Sequence, residues 1–303
     1  MRTSTLLLLT PTTALAALLP RQSPPTQIVP LPSTENLAAR SNGHLLATNM
    51  NSPNLFTIDP IAKTSSTALR FPNSVTGLSG IGEYAPDKFA VIASGKAIYT
   101  VDFSSEAPTA TLLATLAEAQ NLNGLAVLHS TAVLVADAGQ GVVYRVDTET
   151  GEYAVVLQDE ETMAPASKAI PFGIDGIKYR DGVVWYTNIF KNSFHRVLVD
   201  EGTGEARGGY ETLWRDLMGD DLCFGPGGSD TEGGGGKIYV ATNGGNSLVE
   251  VDVAGVVEGG TVVPVKVGSV TGSTSCVVGR GEGDGGVVYV GAGQGVYAVT
   301  VGV

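Results

Sequence analysis

The chain is predicted to be an all-β, six-bladed β-propeller closed by an N-terminal strand. Three observations carry that prediction. First, a polar residue followed by two short apolar runs and a turn recurs six times, at Glu35-Asn36-Leu37, Ser79-Gly80-Ile81, Asn123-Gly124-Leu125, Asp175-Gly176-Ile177, Asp220-Asp221-Leu222 and Thr274-Ser275-Cys276. The steps between these starts are 44, 44, 52, 45 and 54 residues, and a period of about 40–50 residues with several strands per unit marks propeller blades. Second, a further strand in most units ends in Val-Asp or Ile-Asp, as at Ile58-Asp59, Val101-Asp102, Val146-Asp147 and Val251-Asp252. Third, the last unit offers only three strands, near Cys276 to Val278, Val287 to Val290 and Val296 to Val301, while Gln27 to Leu31 is left over before the first. Unpaired edges invite aggregation, so the leftover piece is predicted to complete the last blade.

Each unit supports this in turn. Leu37 to Ala39 and His44 to Thr48 flank the turn Ser41-Asn42-Gly43, and Phe56 to Asp59 follows. The second unit carries Tyr99 to Asp102. In the third, Leu125 to Leu128 and Val133 to Ala136 flank His129-Ser130-Thr131, ahead of Tyr144 to Asp147. In the fourth, Ile177 to Tyr179 and Val183 to Thr187 flank Arg180-Asp181-Gly182. In the fifth, Leu222 to Phe224 and Ile238 to Thr242 flank a glycine-rich insertion, Gly225 to Gly236; the last unit has a similar one, Gly279 to Gly286. Short Val/Ile/Tyr-rich runs bounded by Gly, Asn and Asp read as strands and hairpins, and the two insertions as flexible, solvated hairpin loops. Outside the N-terminus, the stretch with a trace of helical periodicity is Leu112 to Ala119.

At the N-terminus, Arg2, Leu6 to Leu9 and Ala14-Leu15-Ala16 follow the charge, apolar-core and small-residue order of a secretory signal. The expectation is a signal peptide over 1–17 and a single propeller domain over 18–303, with about 47 residues per blade. The apolar run is too short to span a bilayer, so no membrane partner is expected and the protein is placed in the secretory pathway, secreted or vesicular. With a net charge of −12 and a pI near 4.6 the chain has no Lys/Arg cluster for phosphates, which argues against nucleic acid as a partner. No Asn-x-Ser/Thr sequon occurs. Cys223 and Cys276 fall at similar depth in adjacent units, so they are either a disulfide between inner strands or two buried thiols. Neither has the spacing of a zinc ligand.

Inner strands of a propeller converge on its axis, so the six leading residues share one mouth of the channel. The turns Asn49 to Asn54, Ser94-Gly95, Asp137 to Gly141, Asn188 to Phe194, Asn243 to Asn246 and Gln294 open on the same side, and loop-lined mouths favour ligand sites. The candidate substrate contacts there are Asn123, Asp137, Asn188, Phe190, Phe194 and Asn243, with small molecules as partners. Glu35, Asp175 and Asp220 would face one another, and three close carboxylates cannot all stay ionised without compensation. Either a hard cation such as calcium is bound, or a carboxyl keeps its proton and serves as a general acid. The plain alternative is that Asp, Asn and Ser start strands because they stabilise turns. There is no Gly-x-Ser-x-Gly and no triad pattern among His44, His129 and His195; of the three, His195 is the candidate to line the mouth. Phe190, Phe194 and Trp185 suggest an apolar wall.

At Glu35 to Gly43, Leu122 to Leu125, Ile174 to Ile177 and Gly219 to Leu222 the sequence resembles the gluconolactonase-like, senescence-marker-protein and regucalcin-type six-bladed propellers, in particular a secreted fungal branch. The resemblance implies a divalent-cation site at Glu35, Asp175 and Asp220 and lactone hydrolysis. Asp175 stands where that pattern has Asn, and Asn36-Leu37 replaces the Gly-Pro after the first Glu. The overall pattern is also similar to that of the fungal hetero-Diels–Alderases of tropolone sesquiterpenoid biosynthesis. That likeness implies an enzyme with no required cofactor, which dehydrates a hydroxymethyl tropolone or phenol to a quinone methide and adds it to a sesquiterpene alkene, with Glu35, Asp175 and Asp220 as catalytic residues. The third reading is a non-catalytic ligand-binding propeller.

Overall fold

The computed structural model describes residues 23–226 and 236–302; the signal-peptide stretch and most of the Gly225 to Gly236 insertion lie outside the described residues. Six four-stranded antiparallel sheets stand in a ring. The first strand, β1 (Thr26–Val29), belongs to the last sheet. Blade one is β2 (Thr34–Ala39), β3 (Leu45–Asn49), β4 (Asn54–Asp59) and β5 (Thr64–Arg70); blade two is β6 (Leu78–Ala85), β7 (Lys88–Ala93), β8 (Ala97–Asp102) and β9 (Thr109–Thr115). Blade three is β10 (Leu122–His129), β11 (Ala132–Asp137), β12 (Val142–Asp147) and β13 (Tyr153–Gln158); blade four is β14 (Ile174–Arg180), β15 (Val183–Asn188), β16 (Ser193–Leu198) and β17 (Glu211–Trp214). Blade five is β18 (Leu222–Phe224), β19 (Lys237–Ala241), β20 (Leu248–Asp252) and β21 (Val265–Gly268); blade six is β22 (Ser273–Val278), β23 (Val287–Ala292) and β24 (Gly295–Thr300), completed by β1.

Burial explains the sequence gradient within a blade. The second strands, such as β3 and β11, are buried at every residue because neighbouring blades cover both faces, and they read as continuous apolar runs for that reason. The outermost strands face solvent: β5, Thr-Ser-Ser-Thr-Ala-Leu-Arg, has no buried residue. Leu112 lies in β9, an exposed strand rather than a helix, because its alternating pattern pairs with β8.

Ring closure occurs as the sequence predicts. β1 runs antiparallel to β24 with Thr26 opposite Ala298 and Gln27 opposite Tyr297, and Ile28, Val29 and Leu31 are buried against Leu45, Ile58 and Tyr289. Deleting residues 26–32 therefore opens an edge and exposes this cluster. The truncated chain is expected to be aggregated or unfolded by size-exclusion chromatography and circular dichroism; a soluble folded monomer would contradict closure by this strand.

Cys223 and Cys276 form a disulfide between β18 and β22, with Cα atoms 5.6 Å apart. It bonds inner strands of adjacent blades across a sequence separation of 53. Chain-entropy arguments give such a loop about 4 kcal/mol. The double substitution Cys223→Ser, Cys276→Ser is expected to lower unfolding stability by up to about that amount in denaturant titration, and reductant should then have no further effect.

Candidate active site in the central channel

A shared backbone feature builds the site. In five of the six inner strands the ladder to the next strand slips at the leading residue, between Thr34 and Leu37, Leu78 and Ile81, Leu122 and Leu125, Ile174 and Ile177, and Ser273 and Ser275. Such bulges re-aim side chains, here at the start of each inner strand. The residue after the leader then meets the neighbouring blade. A Cβ on Gly80 would lie 2.6 Å from the Asn123 carbonyl oxygen, one on Gly124 2.1 Å from that of Asp175, and one on Gly176 2.4 Å from that of Asp220. Close approach of backbone to backbone demands glycine there. Blades one, five and six depart from this rule, with Asn36, Asp221 and Ser275 at that position.

Asn36 and Asp221 form a buried polar network. Asn36 Nδ2 donates to Asp221 Oδ2 at 2.6 Å. Lys178 Nζ, from β14, donates to both Asp221 oxygens at 2.7 and 2.6 Å, and the ion pair is mostly removed from solvent, at 22% and 5% side-chain exposure. Asn36 N also donates to Thr48 Oγ1 at 2.8 Å.

Glu35, Asp175 and Asp220 are all buried beside this pair. Burial pushes each of their carboxyls well above the usual carboxylate range, and neighbouring carboxylates push further. Asp220 and Asp221 act on Glu35, Glu35 and Asp221 on Asp175, and Asp175 and Asp221 on Asp220. Asn123 Nδ2 donates to Asp175 and Asn243 Nδ2 donates to Asp220 at 2.7 Å, which opposes the shift in part. Among the described residues no Lys, Arg or His forms an ion pair with Glu35, Asp175 or Asp220. This is a set of buried acids poised to hold protons.

Among the described residues no three His, Cys, Asp or Glu side chains are grouped as a metal ion requires. As placed, Glu35, Asp175 and Asp220 do not make up the ligand set that the lactonase resemblance implies.

A cavity of about 310 Å³ opens on this side of the channel, with Met50, Ser79, Ser94, Asn123 and Phe172 in its wall. Asn123 joins it to the acid cluster by its bond to Asp175. The Phe172 ring packs against that of Phe190, with centroids 5.9 Å apart. Both rings are more than a third exposed, and Met50 is exposed beside them, giving the mouth an apolar edge.

Several sequence candidates sit elsewhere. Asp137 is fully buried, and its carboxylate accepts from the backbone amides of Gln120, Asn121, Gly139 and Gln140 at 2.8–3.1 Å; it fixes a turn and has no capacity left for substrate. Asn188 is equally spent, donating to the carbonyls of Thr162 and Ala164 at 3.0 Å and accepting from Lys191 N. Phe194 is a core residue between Trp185 and Trp214, with centroids 6.1 and 4.6 Å away. Its even-spaced position on β16 turns it toward blade five, so the wall expected from Phe194 and Trp185 is absent from the mouth. His195 is buried against Tyr186, with its nitrogens on Ser193 and Thr212; burial lowers its pKa to about 3, leaving it neutral. Phe190, Asn123 and Asn243 do lie at the mouth or on the acid cluster.

Sequence reasoning missed Asn36, Asp221, Lys178, Met50 and Phe172. The signal for the first two was the loss of glycine after the leader. The signal for Phe172 was the longer third step, 52 residues against 44, which houses the connection from β13 to β14 that carries it.

The fold is shared with solved structures of low sequence identity. It superposes on a calcium-binding regucalcin from Agrobacterium tumefaciens with a TM-score of 0.65, 14% identity and coverage of 93% of this chain and 96% of the other. For a luciferin-regenerating enzyme the values are 0.67, 14%, 91% and 95%. At these identities the likeness is one of fold. In sequence, the chain is similar to a protein of Phoma sp named "Putative hetero-Diels-Alderase", 27% identical over 92% of this chain and 91% of that one. A protein of Sarocladium schorii with the same descriptive name is 27% identical over 84% and 74%. No protein-family profile matches the chain.

Proposed function

We propose that the protein is an enzyme of fungal secondary metabolism, a hetero-Diels–Alderase-type pericyclase in the secretory pathway. It joins a quinone methide, made from a hydroxymethyl tropolone or phenol, to a sesquiterpene alkene. The observation that carries this reading is the group of three buried carboxyls, their proton affinity raised by burial and by one another, below a mouth edged by Phe172, Phe190 and Met50. The names of the relatives support the same class of reaction.

The chemistry needs one acid and one acceptor. Protonated Asp175 or Glu35 donates its proton to the departing hydroxyl, the C–O bond breaks and water leaves. The carboxylate left behind then takes up the proton of the ring hydroxyl, so the site returns to its starting state and the net change is loss of one water. The cycloaddition then moves no proton, and the apolar edge holds the alkene against the quinone methide. Holding two reactants in near-attack geometry is worth on the order of several kcal/mol.

The test is incubation of purified protein with a hydroxymethyl tropolone or phenol and a sesquiterpene alkene, with product followed by mass spectrometry. The expected result is a cycloadduct formed faster than without protein, at a rate unchanged by a chelator. Lactone hydrolysis that is lost on chelation, with no cycloadduct, would transfer the assignment to a cation-dependent lactonase.

A further inference from the structure

The cavity beside the acid cluster has room for one reactant, not two. Its volume of about 310 Å³ is roughly twice the ~150 Å³ that encloses a benzene ring and lies at the lower end of small-molecule sites. One substituted aromatic ring fits there, and a sesquiterpene beside it does not.

The room exists because of the leading residue of blade two. Ser79 is the smallest of the six leaders and sits between Glu35 of blade one and Asn123 of blade three. With Asn123 it lies in the wall of the cavity, close to Met50 and Phe172. Its hydroxyl is also the least committed among the neutral leaders. Asn123 donates to Asp175, and Thr274 Oγ1 donates to the carbonyls of Thr34 and Glu35 at 3.1 and 2.8 Å. Ser79 is buried, yet among the described residues its Oγ has the Leu122 carbonyl as its partner, at 3.5 Å. That is about 0.5 Å beyond the usual O–H···O range. A buried hydroxyl held so loosely has a proton to offer a ligand. Thr76 and Ser94, the other hydroxyls in the wall, bond to each other at 3.3 Å.

We propose that Ser79 is the specificity residue for the oxygenated aromatic reactant. Its hydroxyl donates to the ring oxygen, and its small side chain sets the size of ring admitted. The alkene then lies outside this pocket, along the edge formed by Phe172, Phe190 and Met50. The identity of the reactant rests on the pericyclase reading; its place rests on the cavity.

The probe is 2-(hydroxymethyl)phenol, compared with benzyl alcohol, which lacks the ring hydroxyl, by ligand-observed NMR titration of the full protein. Ser79→Ala is expected to weaken the phenol about two- to tenfold, the weight of one hydrogen bond, and to leave benzyl alcohol unchanged. Ser79→Leu fills the pocket and should weaken both at least about tenfold. Thermal melting checks that each variant is folded, and Ser79→Ala decides alone if the larger side chain unfolds the chain. In turnover, Ser79→Ala should raise KM for the aromatic reactant by the same factor and leave KM for the alkene unchanged. No binding of either probe to the parent, or phenol affinity unchanged in folded Ser79→Ala, overturns the proposal. Binding that depends on Ser79 without any cycloadduct would remove the reaction and keep the pocket. A cycloadduct formed by Ser79→Ala with the parent's KM for the aromatic would remove the pocket and keep the reaction.

Discussion

Asp175→Asn is expected to lower cycloadduct formation by about two to four orders of magnitude, the usual weight of a general acid. The substitution is nearly isosteric, and its amide oxygen still accepts from Asn123, so the bulge and the inner strands keep their geometry while the transferable proton is lost. Glu35→Gln is the companion variant, since either carboxyl has the burial to hold a proton. Full activity in both would remove the acid cluster from the mechanism. The same residues set the pH dependence. Their pKa values are raised in the folded protein above the ordinary 4.5 for Glu35 and 3.8 for Asp175 and Asp220. In the unfolded chain they lose protons near those ordinary values, so between the two limits the folded state binds more protons. The stability they contribute is complete in acid below the unfolded values and is lost as pH rises through the folded ones. Activity should fall over the same alkaline limb, because the acid form disappears. Asp175→Asn should therefore be more stable than the parent at neutral pH by roughly 0.5–2 kcal/mol, as when a strained active-site group is relieved, and should lose that advantage in acid. Denaturant titrations at the two pH values check the sign.

Lys178→Met is expected to cost about 3–5 kcal/mol of stability, because it leaves the Asp221 carboxylate buried without its counter-ion. Met keeps the length and most of the packing of the Lys stem, so the loss reports charge rather than volume. Among the described residues Asp221 then keeps the Asn36 amide as its side-chain partner, at 2.6 Å, which does not balance a charge. Adding Asp221→Asn should restore most of the loss, since a neutral amide needs no cation. The measurement is the urea midpoint of the two single variants and the double. A cost below about 1 kcal/mol for Lys178→Met would mean that the pair behaves as an exposed surface bridge. Loss of Lys178 should also raise the proton affinity of the cluster by removing the positive charge beside it, and so extend the alkaline limb of activity.

The repeat was legible because each blade solves the same packing problem with the same pattern. Polar leaders, turn residues and buried second strands recur at blade spacing, and Gln27 to Leu31 was visible as a strand without a partner. The convergence of Glu35, Asp175 and Asp220 followed from that repeat alone. Asp137, Asn188 and Phe194 were misplaced because position in a turn or strand says where a residue lies, not how its bonding capacity is used. Asp137 spends its oxygens on four amides, and Phe194 spends its area between two tryptophans.

By itself the sequence determined the all-β class, the six blades and their closing strand, since periodicity and alternation are local properties that each unit states for itself. Only the tertiary structure decided that Cys223 and Cys276 are bonded, that Lys178 from blade four neutralises Asp221 of blade five, and that Phe172 edges the mouth. Those facts depend on distances between side chains far apart in the chain, which backbone bulges and blade packing set and no local pattern encodes.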